Sequence, residues 1–279
     1  AHLEGQGWPA HVRSGVGRGL NAGTVAQVNE LSLSDGTAAV VKVSWPKTKR
    51  QMATDFRLFQ HASAILRTLN LPNQEAQAVA AIFAAVQRSE GAVMREFDLA
   101  VEAQALWTAS ELVQCPGGEW EGAYATWLAA AEQMLQHRVP PPLNMLGAQF
   151  AAQARERRVQ IQVPTPLEEL SGTSALAMTR AGGVSMHRLL SGEEGPQRRQ
   201  EAAGALVGCA VPFIGWLLLC QSSAHMAHVD PHPGNFRWDD ASKTLWVLDW
   251  GSSIVLEQER RKALCTAMQL IAEDSRDAR

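Results

Sequence analysis

The sequence predicts an α+β fold in two lobes, a small mixed β/α N-lobe followed by a mainly helical C-lobe. Three observations predict it. Apolar, β-branched runs flank Asp35-Gly36 near the start, the pattern of a β-hairpin. Apolar residues at helical spacing then fill the middle of the chain. A second hairpin pattern, "FRWDDASKTLWVLDW", follows a long apolar run near the end. The 279 residues exceed what one small core needs, in keeping with two parts. The parts are placed at 15–181, carrying an insertion at about 115–153, and at 182–279.

In order, "GRGLNAGTVAQVNELSLSDGTAAVVKVSW" reads as a Gly-rich turn and two strands. "QMATDFRLFQHASAILRTL" has helical spacing, and the segment from Asn73 to Val113 reads as further helix broken near Gly91. "CPGGEWEG" reads as a loop. Tyr124 to Arg158 is Ala-rich and helical, interrupted by "VPPPLN". "VQIQVPTPLEEL" and "SALAMTR" read as strands, and "GEEGPQRR" as a charged loop. The most apolar run, Ala205 to Cys220, contains Pro212 and falls short of the roughly 20 residues of a membrane span. A kinked, buried core helix is expected there. In the last hairpin Asp239 to Lys243 make the turn and the strand ends at Asp249.

Hydrophobic residues make up 46% and charged ones 19%, an ordinary globular balance. The net charge of −3 gives no general attraction to nucleic acid or anionic membrane. Cys115, Cys209, Cys220 and Cys265 form no CxxC and read as free, mostly buried thiols of a reducing compartment. The chain begins at Ala1 rather than Met, so a further N-terminal part, including any targeting peptide, is expected ahead of it.

The chemistry concentrates in "HMAHVDPHPGNFRWDDASKTLWVLDWG". Asp230 and Asn235 share a Pro- and Gly-bent loop, and Asp249 stands at the end of a nearby strand. Carboxylates and an amide oxygen are hard ligands suited to Mg²⁺ held together with substrate phosphates. His228, Asp230 and Asn235 fit H-x-D-x-x-x-x-N, and Asp249-Trp250-Gly251 fits D-x-G, the kinase catalytic and metal motifs. The alternative is a set of turn and capping residues.

Phosphoryl transfer also needs a cation on the phosphates. Lys42 lies in the apolar strand "AAVVKVSW" and resembles the Lys of V-A-I-K; the alternative is a snorkelling edge lysine. Upstream, Asn21, Gly23, Ala26 and Val28 fall on the positions of G-x-G-x-x-G-x-V, with only the middle Gly kept. Small residues there let backbone N–H groups approach a phosphate. A buried Lys needs an acidic partner. In "REFDLAVEAQ", Glu102 falls nearly opposite Glu96 on a helix, so Glu102 can face Lys42 while Glu96 and Asp98 face elsewhere. The alternative is a solvated charged face.

Together these residues resemble the aarF-domain (ADCK/UbiB) atypical kinases over roughly Gly17 to Leu264. "NAGTVAQVN…LSDGTAAVVKVSWP" is similar to that family's Ala-rich loop and Lys strand. "EFDLAVEA" is similar to its E-x-D-Y-x-x-E-A helix, and "HVDPHPGNF" to its H-x-D-x-H-P-G-N loop. "VPTPLEELSGTSALAMTRAGG" resembles the strand pair that reaches the nucleotide hinge. The resemblance implies a protein-kinase-like fold that binds ATP and Mg²⁺ and acts as an ATPase or unorthodox kinase. It implies a link to ubiquinone or other prenyl-lipid metabolism, with a quinone precursor, lipid or membrane surface as partner, in a bacterium, mitochondrion or plastid. Carried over by match, Lys42 and Glu102 are the ion pair and Asp230 the catalytic carboxylate. Asn235 and Asp249 are the Mg²⁺ ligands. The nucleotide lies along Asn21, Ala22, Gly23, Thr24, Val25, Ala26, Gln27 and Val28, with Met178 and Arg180 at the hinge. Glu96 and Asp98 belong to the acidic motif.

Three departures stand out. The family's K-x-G-Q helix has no counterpart, since Leu3 to Gln6 ("LEGQ") lies too close to the loop and has Leu for Lys; the expected N-terminal part would carry it. The loop reads N-A-G-T for A-A-A-S, and Leu99 replaces the Tyr of the acidic motif. Two other readings stay open: a pseudokinase that binds nucleotide without catalysis, and a small-molecule phosphotransferase of the aminoglycoside or choline type.

Overall fold

The computed structural model describes residues 16–33, 35–68, 74–114, 119–156, 158–219, 226–264 and 266–267. Those within 1–104 and 166–180 form one compact unit, and those within 105–165 and 181–279 form another.

The first unit is built on an antiparallel sheet of order β1-β2-β3-β5, with β1 Val16–Ala22, β2 Ala26–Ser32, β3 Ala38–Ser44 and β5 Ala175–Thr179. Gly36, at φ 81°, turns β2 into β3, and Asp35 accepts the Thr37 N–H at 2.8 Å. In β3 the alternation puts Ala39, Val41 and Val43 into a core with Leu31, Ala175 and Ala177. Lys42 therefore projects from the opposite face. Where the sequence suggested a Gly-rich turn, the chain forms strand β1. A Cβ placed on Gly19 would come within 2.5 Å of the Gln27 side-chain amide nitrogen, so glycine here leaves room for that side chain.

Helix α1 (Pro46–Thr68) starts on a proline, whose fixed φ suits a first turn. Helix α2 (Gln74–Arg95) pairs with it, joined by a Phe59–Phe83 edge contact at 5.5 Å. The break expected near Gly91 does not fall on the glycine itself. A lone helical glycine costs only about 1 kcal/mol, and the break falls instead at 96–98, where Asp98 caps α3 (Leu99–Gln114) by accepting the Ala100 N–H at 3.2 Å.

The second unit carries a sheet of order β4-β9-β8-β6 and a two-stranded ladder β7–β10. These strands are β4 Gln160–Gln162, β6 Val184–Ser185, β7 Met226–His228, β8 Phe236–Asp239, β9 Thr244–Val247 and β10 Ser253–Val255. The strand expected to reach Asp249 ends at Val247. The segment read as an insertion in the first lobe forms α4 (Glu119–Arg138) and α5 (Leu143–Arg155), and both pack within the second unit. Small residues explain this: a Cβ on Gly208 would lie 2.2 Å from the Gly147 carbonyl, and one on Gly204 would lie 2.7 Å from the Phe150 ring. "EWEG", read as loop, belongs to α4, whereas 115–118 lie outside the described residues.

Helix α6 spans Met186–Ser191 and ends on left-handed Gly192. The apolar run follows as α7 (Pro196–Ala205), a π turn (Leu206–Ala210) and α8 (Val211–Leu219). Pro212 lacks the N–H of a regular ladder, and the irregular turn lies just ahead of it. Trp127 donates its indole N–H to the Pro212 carbonyl at 2.7 Å. By length and composition Pro196–Leu218 could cross a bilayer, but 56% of its most apolar window is buried in the protein, as a core helix requires. Cys209 is a free thiol within it, fully buried, and that burial pushes its pKa up.

Candidate functional site

In the first unit, Lys42 Nζ contacts Glu102 Oε2 at 2.8 Å and Oε1 at 3.0 Å. The side chains are 17% and 6% exposed, so the pair is largely withdrawn from water. Strand β3 supplies the lysine from its non-core face, and the first turn of α3 supplies the glutamate. The Asp98 cap and the Leu99 N–H to Thr173 carbonyl bond (3.0 Å) fix the start of that helix. Asp98 thus has a capping geometry, while Glu96 is exposed just past α2.

The predicted nucleotide loop spans a strand end, a turn and a strand start. Asn21 and Ala22 end β1, Gly23, Thr24 and Val25 form the turn, and Ala26, Gln27 and Val28 open β2. Val28 stands opposite Lys42 in the β2–β3 register, one strand from the ion pair. The turn is closed by the Gly23 N–H on the Ala26 carbonyl (2.8 Å). It is also tied from outside. Trp45 donates its backbone N–H to the Val25 carbonyl (2.9 Å) and its indole N–H to the Gly23 carbonyl (3.1 Å). Sequence reasoning missed Trp45; its only signal was an aromatic donor directly after the Lys strand. Met178 of β5 pairs with Val40 of β3, and Arg180 follows β5 with its guanidinium 3.2 Å from Glu30.

In the second unit, the β7–β10 ladder sets His228 opposite Ser253. That pairing brings the chain after Asp249 back beside the chain before Asp230. His228 Nε2 lies 3.0 Å from the Leu248 carbonyl, which can only accept, so Nε2 carries the proton. Its ring meets buried Trp250 edge to face at 5.0 Å. Asp230 is exposed. Asn235 is buried and donates Nδ2–H to the Asp230 carbonyl at 2.9 Å. Its own carbonyl accepts the Leu248 N–H at 2.8 Å, which binds the catalytic-type loop to the residue before Asp249. Asp249 adopts φ 54°, ψ 76°, a left-handed conformation uncommon for a side chain with a Cβ.

With Nδ2 committed to Asp230, the Oδ1 of Asn235 remains as an acceptor. An amide oxygen and a carboxylate form a hard oxygen set that fits Mg²⁺ completed by phosphate oxygens and water.

No curated protein matches the chain. A solved structure, the complex of Rv3197 with erythromycin from Mycobacterium tuberculosis, is similar at 19% identity and a TM-score of 0.48. The similarity covers 90% of this chain and 49% of that one, so this chain spans about half of that protein's length. The sequence model of the ABC1 atypical kinase-like domain matches 17–115 and 146–278, leaving all of α4 unmatched. A match over that much of the sequence, on a chain with an antiparallel N-terminal sheet and a mostly helical remainder, means that the protein belongs to the ABC1 atypical kinase-like domain family.

Proposed function

We propose that this chain binds ATP with Mg²⁺ and catalyses phosphoryl transfer or ATP hydrolysis. The observation that carries the reading is the withdrawn Lys42–Glu102 ion pair, one strand from a short Gly-containing turn. A lysine in so apolar a strand is held there by its carboxylate, and an ammonium so placed suits phosphate oxygens. Backbone N–H groups of the turn other than that of Gly23, which bonds the Ala26 carbonyl, offer further donors. Asn235 and Asp249 would hold Mg²⁺, which offsets the negative charge of the phosphates when bound. Asp230 would orient the acceptor hydroxyl or water and take its proton. On the resemblance alone, the partner we put forward is a quinone precursor or other prenyl lipid.

Thermal unfolding with and without Mg²⁺-ATP tests the binding step, on the wild type and on Asp249→Asn. Ligand at about 100 times its Kd stabilises by roughly 2.7 kcal/mol, a shift of several degrees for a chain this size. A Mg²⁺-dependent rise that the variant loses supports the site. No rise at millimolar ATP sinks the reading. Binding without any phosphate released or transferred leaves a pseudokinase, and phosphorylation of a small alcohol makes it a small-molecule phosphotransferase.

A further inference from the structure

The loop between Asp230 and Asn235 holds a histidine to which the reading above gives no task. His232 sits between Pro231 and Pro233. A residue before proline is confined to extended backbone, and His232 has φ −76° and ψ 155°. Its side chain is oriented as well. The Gly234 N–H donates to His232 Nδ1 at 3.0 Å, closing the short turn Pro233–Asn235. An Nδ1 that accepts carries no proton, so in the neutral ring the proton is on Nε2. That nitrogen lies 3.8 Å from Asp230 Oδ2. Gly234 keeps the ring in place, since a Cβ there would lie 2.6 Å from His232 Cε1 and 2.9 Å from Nδ1. The 3.8 Å separation of Nε2 from Asp230 Oδ2 is longer than a hydrogen bond, so the contact with the Asp230 carboxylate is electrostatic.

We propose that His232 is a positioning residue for Asp230: the turn fixes its tautomer, and the resulting Nε2–H aims the carboxylate at the acceptor. The inference rests on the phosphoryl-transfer reading above. One imidazole performs two separable tasks. Nδ1 closes the turn, and Nε2–H steers the carboxylate. Substitution can divide them. Asn accepts the Gly234 N–H through Oδ1, as Asn does at helix caps, but has no group at the far position. Gln restores an N–H farther out.

The experiment compares wild type, His232→Asn and His232→Gln for thermal midpoint, for the Mg²⁺-ATP shift, and for kcat and KM. Alongside it, ¹⁵N NMR of the wild-type imidazole reads the tautomer. In His232→Asn the midpoint, the nucleotide shift and the KM for ATP are expected to stay at wild-type values. Its kcat falls by about 10- to 100-fold, the scale of misplaced catalytic groups, and His232→Gln recovers part of that loss. In the wild type Nδ1 is the unprotonated nitrogen. Wild-type kcat in His232→Asn overturns the inference, as does a spectrum with the proton on Nδ1. Equal loss of kcat in both variants with a lowered midpoint reduces His232 to a turn closure and also overturns it. If the wild type binds nucleotide but shows no turnover, phosphoryl transfer itself fails and the inference falls with it. That outcome is distinct from an active wild type with an indifferent variant.

Discussion

The indole N–H of Trp45 donates to the Gly23 carbonyl at 3.1 Å, so a residue just past the Lys strand holds the turn of the predicted nucleotide loop. Trp45→Phe keeps the aromatic ring and removes the donor. One hydrogen bond of this kind contributes about 1 kcal/mol, and the turn keeps its Gly23–Ala26 and Trp45–Val25 backbone bonds. The fold should therefore survive with a midpoint within a few degrees of wild type. On the proposed reading the KM for ATP should rise by about fivefold with kcat little changed, because a phosphate loop would bind best with its N–H groups already oriented. Steady-state kinetics checks this, and an unchanged KM would remove Trp45 from the account.

The Lys42–Glu102 pair calls for a double-mutant cycle. Glu102 is 5% exposed, so Lys42→Met leaves a carboxylate withdrawn from water without its cation. Breaking a buried pair from one side costs about 3–5 kcal/mol, while replacing both partners costs far less. Lys42→Met and Glu102→Gln singly should each lower the midpoint, and the double variant should recover part of the loss. All three should lack the Mg²⁺-ATP shift. Additive losses in denaturant titrations would mean that the pair contributes nothing to stability.

How much of this was legible in the letters differs from residue to residue. Lys42 and Glu102 could be matched because strand alternation and helical periodicity each fix which way a side chain faces. The residues from His228 to Asp249 were recognisable by their spacing, because a loop that must bring several polar groups together needs a set chain length. Trp45 and the second task of His232 were not legible, since the direction of a single N–H is set by the folded backbone and leaves no periodic trace. Strand β1 was misread because Gly17 and Gly19 signal a turn by propensity, yet pairing with β2 overrides it. The association of α5 with the π turn was hidden for a similar reason. Gly204 and Gly208 act there through the atoms they lack.

Gly183 offers a sharp test of the second unit. It has φ 68°, and a Cβ would lie 2.1 Å from the Trp238 carbonyl oxygen, a backbone atom that cannot move without shifting β8. Gly183→Ala combines a left-handed penalty of about 1–2 kcal/mol with that clash. Gly36 is the control: it has φ 81° but nothing within 4 Å of its Cβ position, so Gly36→Ala meets only the first cost. Thermal midpoints should fall by a few degrees for Gly36→Ala and by clearly more for Gly183→Ala. Equal shifts would show that the β6–β8 contact is looser than described.

Cys209 gives a readout of the core that needs no ligand. Burial raises its thiol pKa because the thiolate is the form that loses most on leaving water. The folded-state pKa lies above the unfolded one, so the neutral thiol is retained well into the alkaline range. The native protein should resist alkylation at pH 8, where an exposed thiol near pKa 8.5 reacts readily. In a variant with Ser at Cys115, Cys220 and Cys265, labelling by iodoacetamide should follow global unfolding in denaturant. Linkage sets the sign at high pH. As pH rises above the unfolded thiol's pKa, the unfolded chain releases a proton that the folded chain keeps, so stability falls. Rapid labelling in native buffer would mean that the helix carrying Cys209 opens locally, which is incompatible with the close contact of Gly208 on Gly147 one residue away.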